Sequence, residues 1–185
     1  MAGKNKTGPS AQAAASAPDP QALEQVLEQN PTAEDFCAEL AKVFHVRQTE
    51  VALLRLDKTL LKFVYPAELA TAGSIPISSS NAVAAHTATT KTAEIFNTFA
   101  AVKHASIFES IKLTDPQALD RFQQPPIQKL MSSPVLNQGK LVGVIQISRK
   151  GQDLESAGPD FTAQDLQNLG RAAKVLAKAA FMQAN

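Results

Sequence analysis

The sequence predicts an α+β domain in which one antiparallel sheet is covered by helices from the two ends of the chain. Three observations carry that expectation. Apolar residues recur at helical spacing near the start (Phe36, Leu40, Val43, Phe44) and near the end (Leu166, Leu169, Ala173, Leu176, Ala180), as in amphipathic helices. Between them lie two pairs of β-rich runs, Val51–Leu56 with Leu60–Tyr65 and Ser133–Leu136 with Leu141–Ser148, each pair separated by a few turn residues. Hairpins in the middle and helices at the ends give segregated rather than alternating elements.

Order is expected to begin at Asp19-Pro20, an aspartate cap followed by proline at the first helical position, with Leu23, Val26 and Leu27 on one face of a short helix. Asn30-Pro31 ends that helix, and Thr32-Ala33-Glu34-Asp35 has the form of a capping box opening the second. The first hairpin turns across Asp57-Lys58. After Pro66 and Gly73, Ile75-Pro76-Ile77 precedes Ser78-Ser79-Ser80-Asn81, four candidate N-caps ahead of an Ala- and Val-rich helix placed near residues 80–89. Residues 92–96 are expected as a short strand. Residues 97–113 show no clear period, although Phe99, Val102, Phe108 and Ile111 are available for packing.

Asp115-Pro116 opens a further one-turn helix, and Pro125-Pro126 stops it. In the second hairpin Asn137-Gln138-Gly139-Lys140 supplies a glycine for the left-handed turn position. A polar loop with Gly151 and Gly158-Pro159 leads to Phe161, and Thr162-Ala163-Gln164-Asp165 is a second capping box ahead of the last helix.

A chain of 185 residues is long enough for one well-buried core, whereas independent domains usually need roughly 100 to 150 residues each. Residues 1–18 hold almost no large apolar side chains and are expected to form a disordered tail, leaving residues 19–185 as a single domain. Lysine and arginine number 18 against 17 acidic residues, and a net charge of +1 supplies no field that would favour nucleic acid. The single cysteine, Cys37, cannot form an internal disulfide, which fits a reducing compartment, and the cytoplasm is expected. No signal-peptide core precedes the domain and no stretch reaches the roughly 18 apolar residues needed to span a bilayer, so no membrane role is expected and the Asn5-Lys6-Thr7 sequon should be inert.

Two segments narrow the class to a family. Ile75-Pro76-Ile77, Val83-Ala84, Thr90, Ile95 and Asn97 resemble the mid-domain pattern of GAF domains, and Ser133-Pro134-Val135-Leu136, residues 139–148 and Phe161-Thr162 through Ala180 resemble the family's closing hairpin and helix. The resemblance covers roughly residues 32–183 and rests on the succession of motifs. It implies an antiparallel sheet of about six strands, N- and C-terminal helices packed together on one face, a ligand pocket over the sheet and frequent dimerisation through the terminal helices. Two departures stand out: Lys91 where the family often has glycine after the middle helix, and Ala93 where it often has proline.

Some members reduce free methionine sulfoxide with several cysteines, because a sulfenic intermediate must be resolved by a second thiol. Cys37 alone cannot complete that cycle, and beside Phe36 on a terminal helix it is expected to be a small buried apolar residue rather than a nucleophile or a bilin attachment point. His45, His86 and His104 have no close metal-site spacing, and the 8 glycines form no phosphate-binding loop. Asn97, Lys103 and Phe108 follow the order seen in cyclic-nucleotide-binding members, but Glu109-Ser110 replaces the acidic pair, so the match is taken as accidental.

A non-enzymatic sensory or regulatory domain is therefore expected, binding a small polar, preferably anionic molecule, with the serine run and a helix N-terminus as donors. The candidate ligand-binding residues are Tyr65, Ser79, Asn81, His86, Phe99 and His104, and no catalytic or metal-binding residue and no particular cofactor is assigned. No kinase, cyclase or DNA-binding segment is attached, so the output is expected from a separate partner protein. A homodimer is expected through the terminal helices, because Ala172, Val175 and Ala179 form a second small-residue face on the last one. The alternatives are a dimerisation or protein-interaction module with a vestigial pocket, and a haem or redox sensor using His86 or His104.

Overall fold

The described chain opens with two helices, α1 (Pro20–Glu28) and α2 (Ala33–Val43). Thr32 starts α2 as its spacing implies: its hydroxyl accepts the Asp35 amide at 3.1 Å, while the Asp35 carboxylate accepts the Thr32 amide at 3.2 Å. A 3-10 turn at Gln48–Glu50 leads into the hairpin β1 (Val51–Asp57) and β2 (Leu60–Tyr65), followed by β3 (Ser74–Pro76), α3 (Val83–Thr90) and β4 (Glu94–Phe96). The second hairpin, β5 (Ile127–Asn137) and β6 (Lys140–Lys150), precedes α4 (Ala163–Leu176), which Thr162 and Asp165 cap in the same reciprocal way. This computed structural model describes residues 20–71, 73–99 and 125–183. The expected tail and the expected helix start at Asp115-Pro116 lie outside those residues.

The six strands form one antiparallel sheet in the order β3-β2-β1-β6-β5-β4, which is the α+β architecture the sequence predicts. Asn137 pairs with Lys140, so the β5–β6 turn is Gln138-Gly139, with φ of 50° and 78°. Two left-handed residues are what a type I′ hairpin requires, because that turn matches the twist of the flanking strands. Strand β5 begins at Ile127, well ahead of the expected Ser133, since Lys129, Ser132 and Ser133 interrupt the apolar pattern without interrupting the ladder. Pro134 fits within it because β4 pairs only with Leu130 to Ser132, so no ladder partner needs the missing N–H.

Each face of the sheet has its own core. Val51, Leu53, Met131, Val135, Ile145 and Ile147 meet the terminal helices through Leu23, Phe36, Leu40, Phe44, Leu169 and Leu176. The other face sets Ala52, Leu54, Leu61, Phe63 and Val144 against Leu69, Ile75 and the alanines 84, 85 and 88 of α3. Small side chains let α3 lie close to the strands. Gly143 marks the tightest approach, since a Cβ there would run into the Leu54 carbonyl and the Met182 methyl.

The small-residue face behind the expected dimer is occupied inside one chain. Ala172, Val175 and Ala179 are buried in the terminal-helix core, because α4 faces both the sheet and α1. Val175→Glu should therefore lower unfolding free energy by about 3 kcal/mol or more, a buried unpaired charge being among the costliest of substitutions. Urea denaturation checks it, and unchanged stability with a halved molar mass would return that face to a dimer. Gly143→Ala should cost about 2 kcal/mol or more in the same measurement, because the strand backbones must separate to admit the methyl group.

Candidate functional site

The apolar face beneath α3 is interrupted by a row of buried polar side chains. Ser132 of β5, Gln146 and Ser148 of β6 and Thr87 of α3 are all buried. Thr87 donates its hydroxyl proton to the Val83 carbonyl at 2.9 Å. Ser132 must then donate to Thr87 across their 2.7 Å contact, and the Gln146 amide donates to Ser132 at 3.0 Å. Ser148 donates to the Glu50 carbonyl at 3.1 Å. These groups form a satisfied polar floor, and the space beside Gln146 and Ser148, bounded by Ala52, Ile127 and Leu130, is a void of only about 10 Å³. That is room for roughly one water molecule.

The structure distributes the six candidate ligand residues unevenly. Tyr65 packs with the terminal-helix core, opposite to α3, because an irregularity between Leu53 and Leu54 pairs Tyr65 with the helix-facing Leu53. Burial pushes its phenol up, with Cys37, Glu34 and Glu68 adding to the effect. Ser79 is half-buried, its amide donating to the Pro76 carbonyl, and Asn81 is exposed, accepting from the Ser80 hydroxyl at 3.4 Å. Neither caps α3, which starts at Val83 rather than near 80 and has Ala82 as its N-cap without a side-chain bond. His86 lies on α3 with Nε2 3.4 Å from Glu94 Oε2 on β4. Phe99 is buried beside Val83 and Leu130, edge-on to Phe96 with ring centroids 6.4 Å apart, and His104 lies outside the described residues. The structure thus brings His86 to Glu94 and Phe99 to the α3 core, and sets Tyr65 apart.

Lys91 keeps the turn after α3 without the usual glycine, taking φ 54° and ψ 30° itself while its ammonium donates to the Gly139 carbonyl at 3.1 Å. Asn97 is fully engaged: its side-chain N–H donates to the Phe161 carbonyl and its oxygen accepts the Phe161 amide, both at 2.9 Å. The Cys37 thiol is wholly buried among the terminal helices, and burial pushes its pKa up. Among the described residues no three His, Cys, Asp or Glu side chains are placed to hold a metal ion, and no helix is long and apolar enough to cross a membrane.

Glu50 anchors the sheet end of this face. Its carboxylate accepts the Arg47 amide at 2.7 Å, an Arg47 guanidinium nitrogen at 2.8 Å and the Lys150 amide at 2.7 Å. Burial pushes the Glu50 pKa up, but these donors outweigh it and hold the group below the usual carboxylate range. The neighbouring Lys150 ammonium is pulled down to about 8, chiefly by burial and against the pull of Glu50. Because the folded Glu50 pKa is depressed, its stabilisation is complete above the unfolded value and is lost as pH falls through the folded one. Glu50→Gln should cost roughly 2 to 3 kcal/mol at neutral pH and flatten the acid limb of the stability curve, read from urea midpoints between pH 3 and pH 7. An acid limb as steep as that of the native chain would contradict it.

The arrangement was compared with known proteins. No curated protein matches the sequence at a significant level. Among solved structures, the GAF domain of a phosphoenolpyruvate-protein phosphotransferase from Acinetobacter superimposes with TM-score 0.63 at 12% identity, covering 86% of this chain and 89% of that one. Residues 122 to 287 of a methyl-accepting chemotaxis protein give 0.60 at 17% identity over 85% and 93%. Free methionine-R-sulfoxide reductase from Neisseria meningitidis, in complex with its substrate, gives 0.59 at 16% identity over 86% and 84%. At such identities these likenesses concern the fold. The family model of the GAF domain matches residues 30–180, and the chain belongs to the GAF domain family.

Proposed function

We propose that this GAF domain is a non-catalytic sensory or regulatory domain that binds a small polar molecule between α3 and the sheet and passes the change to a separate partner protein. The observation that supports it is the polar row Thr87, Ser132, Gln146 and Ser148 on a face that is otherwise apolar. A sheet face needs no such groups for stability, since each buried polar group must recover its lost hydration through hydrogen bonds. Ser79, Asn81, His86 and Phe99 lie on α3 or the segments flanking it, and remain the proposed contacts, with His104 beyond the described residues. The absence of catalysis is supported by Cys37, whose thiol is buried on the opposite face and held protonated, so that no thiolate is available for sulfoxide chemistry. A reducing cytoplasm suits a lone free thiol. One domain over 19–185 is supported by α1, whose Leu23 is buried in the common core although it precedes the matched segment.

A second reading, an interaction or dimerisation module with a vestigial pocket, is favoured by the void of about 10 Å³, which is far too small for a metabolite. A dimer would then use a surface other than the buried face of α4. Native mass spectrometry of the freshly purified chain separates the two, because a retained molecule appears as added mass. Thermal-shift screening of carboxylates, nucleotides and neutral metabolites should find a stabilising compound, and Asn81→Ala and His86→Ala should each weaken it about tenfold, the loss of one charge-assisted bond. No added mass and no stabilising compound would leave the vestigial reading standing.

A further inference from the structure

At the far end of β6 an open cleft of about 770 Å³ lies between the end of α2 and the loop after β6. His45, Arg47, Arg149, Gly151, Gln152 and Ser156 contribute to its walls. Glu50 is the carboxylate in the wall, and it is already held by the Arg47 guanidinium and two backbone amides.

Arg149 is different. Its guanidinium reaches only the His45 and Phe44 carbonyls, both at 3.5 Å, the outer limit of a hydrogen bond, and lies 4.7 Å from the centre of the Phe161 ring. Its Nε is buried and has no hydrogen-bond partner. None of the ion pairs among the described residues involves it. A half-buried guanidinium stays protonated, so it sits here as a positive charge with weak neutral acceptors, favoured at a distance by Glu50 and Asp165 but in ion-pair contact with neither. With Nε closed off, the donors such a group can offer to an anion in the cleft are its two Nη groups, which their carbonyls hold only weakly.

We propose that this cleft is a second small-molecule site, specific for an oxyanion, in which a phosphate or carboxylate group accepts from the Nη groups of Arg149, with the remaining donors of Arg47, whose other nitrogen holds Glu50, alongside. Phe161 and the Phe44 and His45 carbonyls at the end of α2 orient the Arg149 fork, and the half-exposed Arg47 side chain offers further N–H donors from the solvent side. The cleft adjoins the polar floor beneath α3 through Glu50, whose carbonyl accepts Ser148, and differs from it in charge and in opening to solvent.

Titration of the full chain with inorganic phosphate and, separately, with acetate, followed by NMR of arginine guanidinium groups and backbone amides, tests it. The expected result is a saturable shift of the Arg149 guanidinium and of the Gly151 and Gln152 amides, absent with chloride at equal ionic strength. Whichever anion saturates first names the class. Gln152→Glu alters an exposed side chain in the cleft wall, so folding is retained, and the added charge should weaken binding at least about fivefold. Arg149→Lys keeps a charge but loses the fork, and should weaken binding as well. No saturable shift, equal shifts with chloride, or undiminished binding in Gln152→Glu overturns the proposal. Shifts centred on Thr87, Ser132 and Gln146 also overturn it, while supporting ligand binding beneath α3.

Discussion

The pairing of β1 with β6 joins two hairpins that are distant in sequence, and the sheet exists only because that pairing closes. Each hairpin forms locally across its own two-residue turn, but neither buries a face alone. Closing β1 against β6 carries the loop entropy of the whole intervening chain, an entropy that grows only slowly with length. Two features favour the closure. Gly143 lets the strand backbones approach beside Leu54, and the Glu50 carboxylate accepts the Lys150 amide, a hundred positions away in sequence, at the end of the same seam. Once the seam is formed, one face receives α1, α2 and α4 and the other receives α3.

Most of this was legible from local chemistry. Thr32 with Asp35 and Thr162 with Asp165 cap their helices as the spacing implies, and both hairpins lie where the apolar runs place them. What failed to show was set by tertiary context. The serine run reads as a set of N-caps, yet α3 starts after Ala82, and Ala82, Val83 and Ala84 are themselves buried against the sheet. Tyr65 reads as a pocket residue, but one irregularity in the β1–β2 ladder turns it to the other face, since side-chain direction in a strand alternates residue by residue.

The polar floor had a visible signal that periodicity alone discards. In a strand buried on both faces every position should be apolar, so Gln146 and Ser148 within the run Leu141–Ser148 are exceptions rather than a solvent-facing alternation. Ser132 falls just ahead of the expected run Ser133–Leu136 and sits in the middle of β5. The Arg149 cleft was less legible, because a cation near a strand end normally points to water, and only the packing of Phe161 and α2 around it removes that option.

Asn97 and Phe161 hold one another by two opposed hydrogen bonds, in the manner of a short extra rung of sheet made with a side chain. That rung fastens the chain just after β4 to the residue just before the Thr162 cap of α4. Strand β4 also carries Glu94, the neighbour of His86 on α3. Contacts therefore run from α3 to β4 to the segment before α4 around the edge of the sheet, with His86 Nε2 approaching Glu94 Oε2 at 3.4 Å and Asn97 bound to Phe161. The Asn97 side chain is thus the hydrogen-bonded tie between the edge strand and the entry to the last terminal helix.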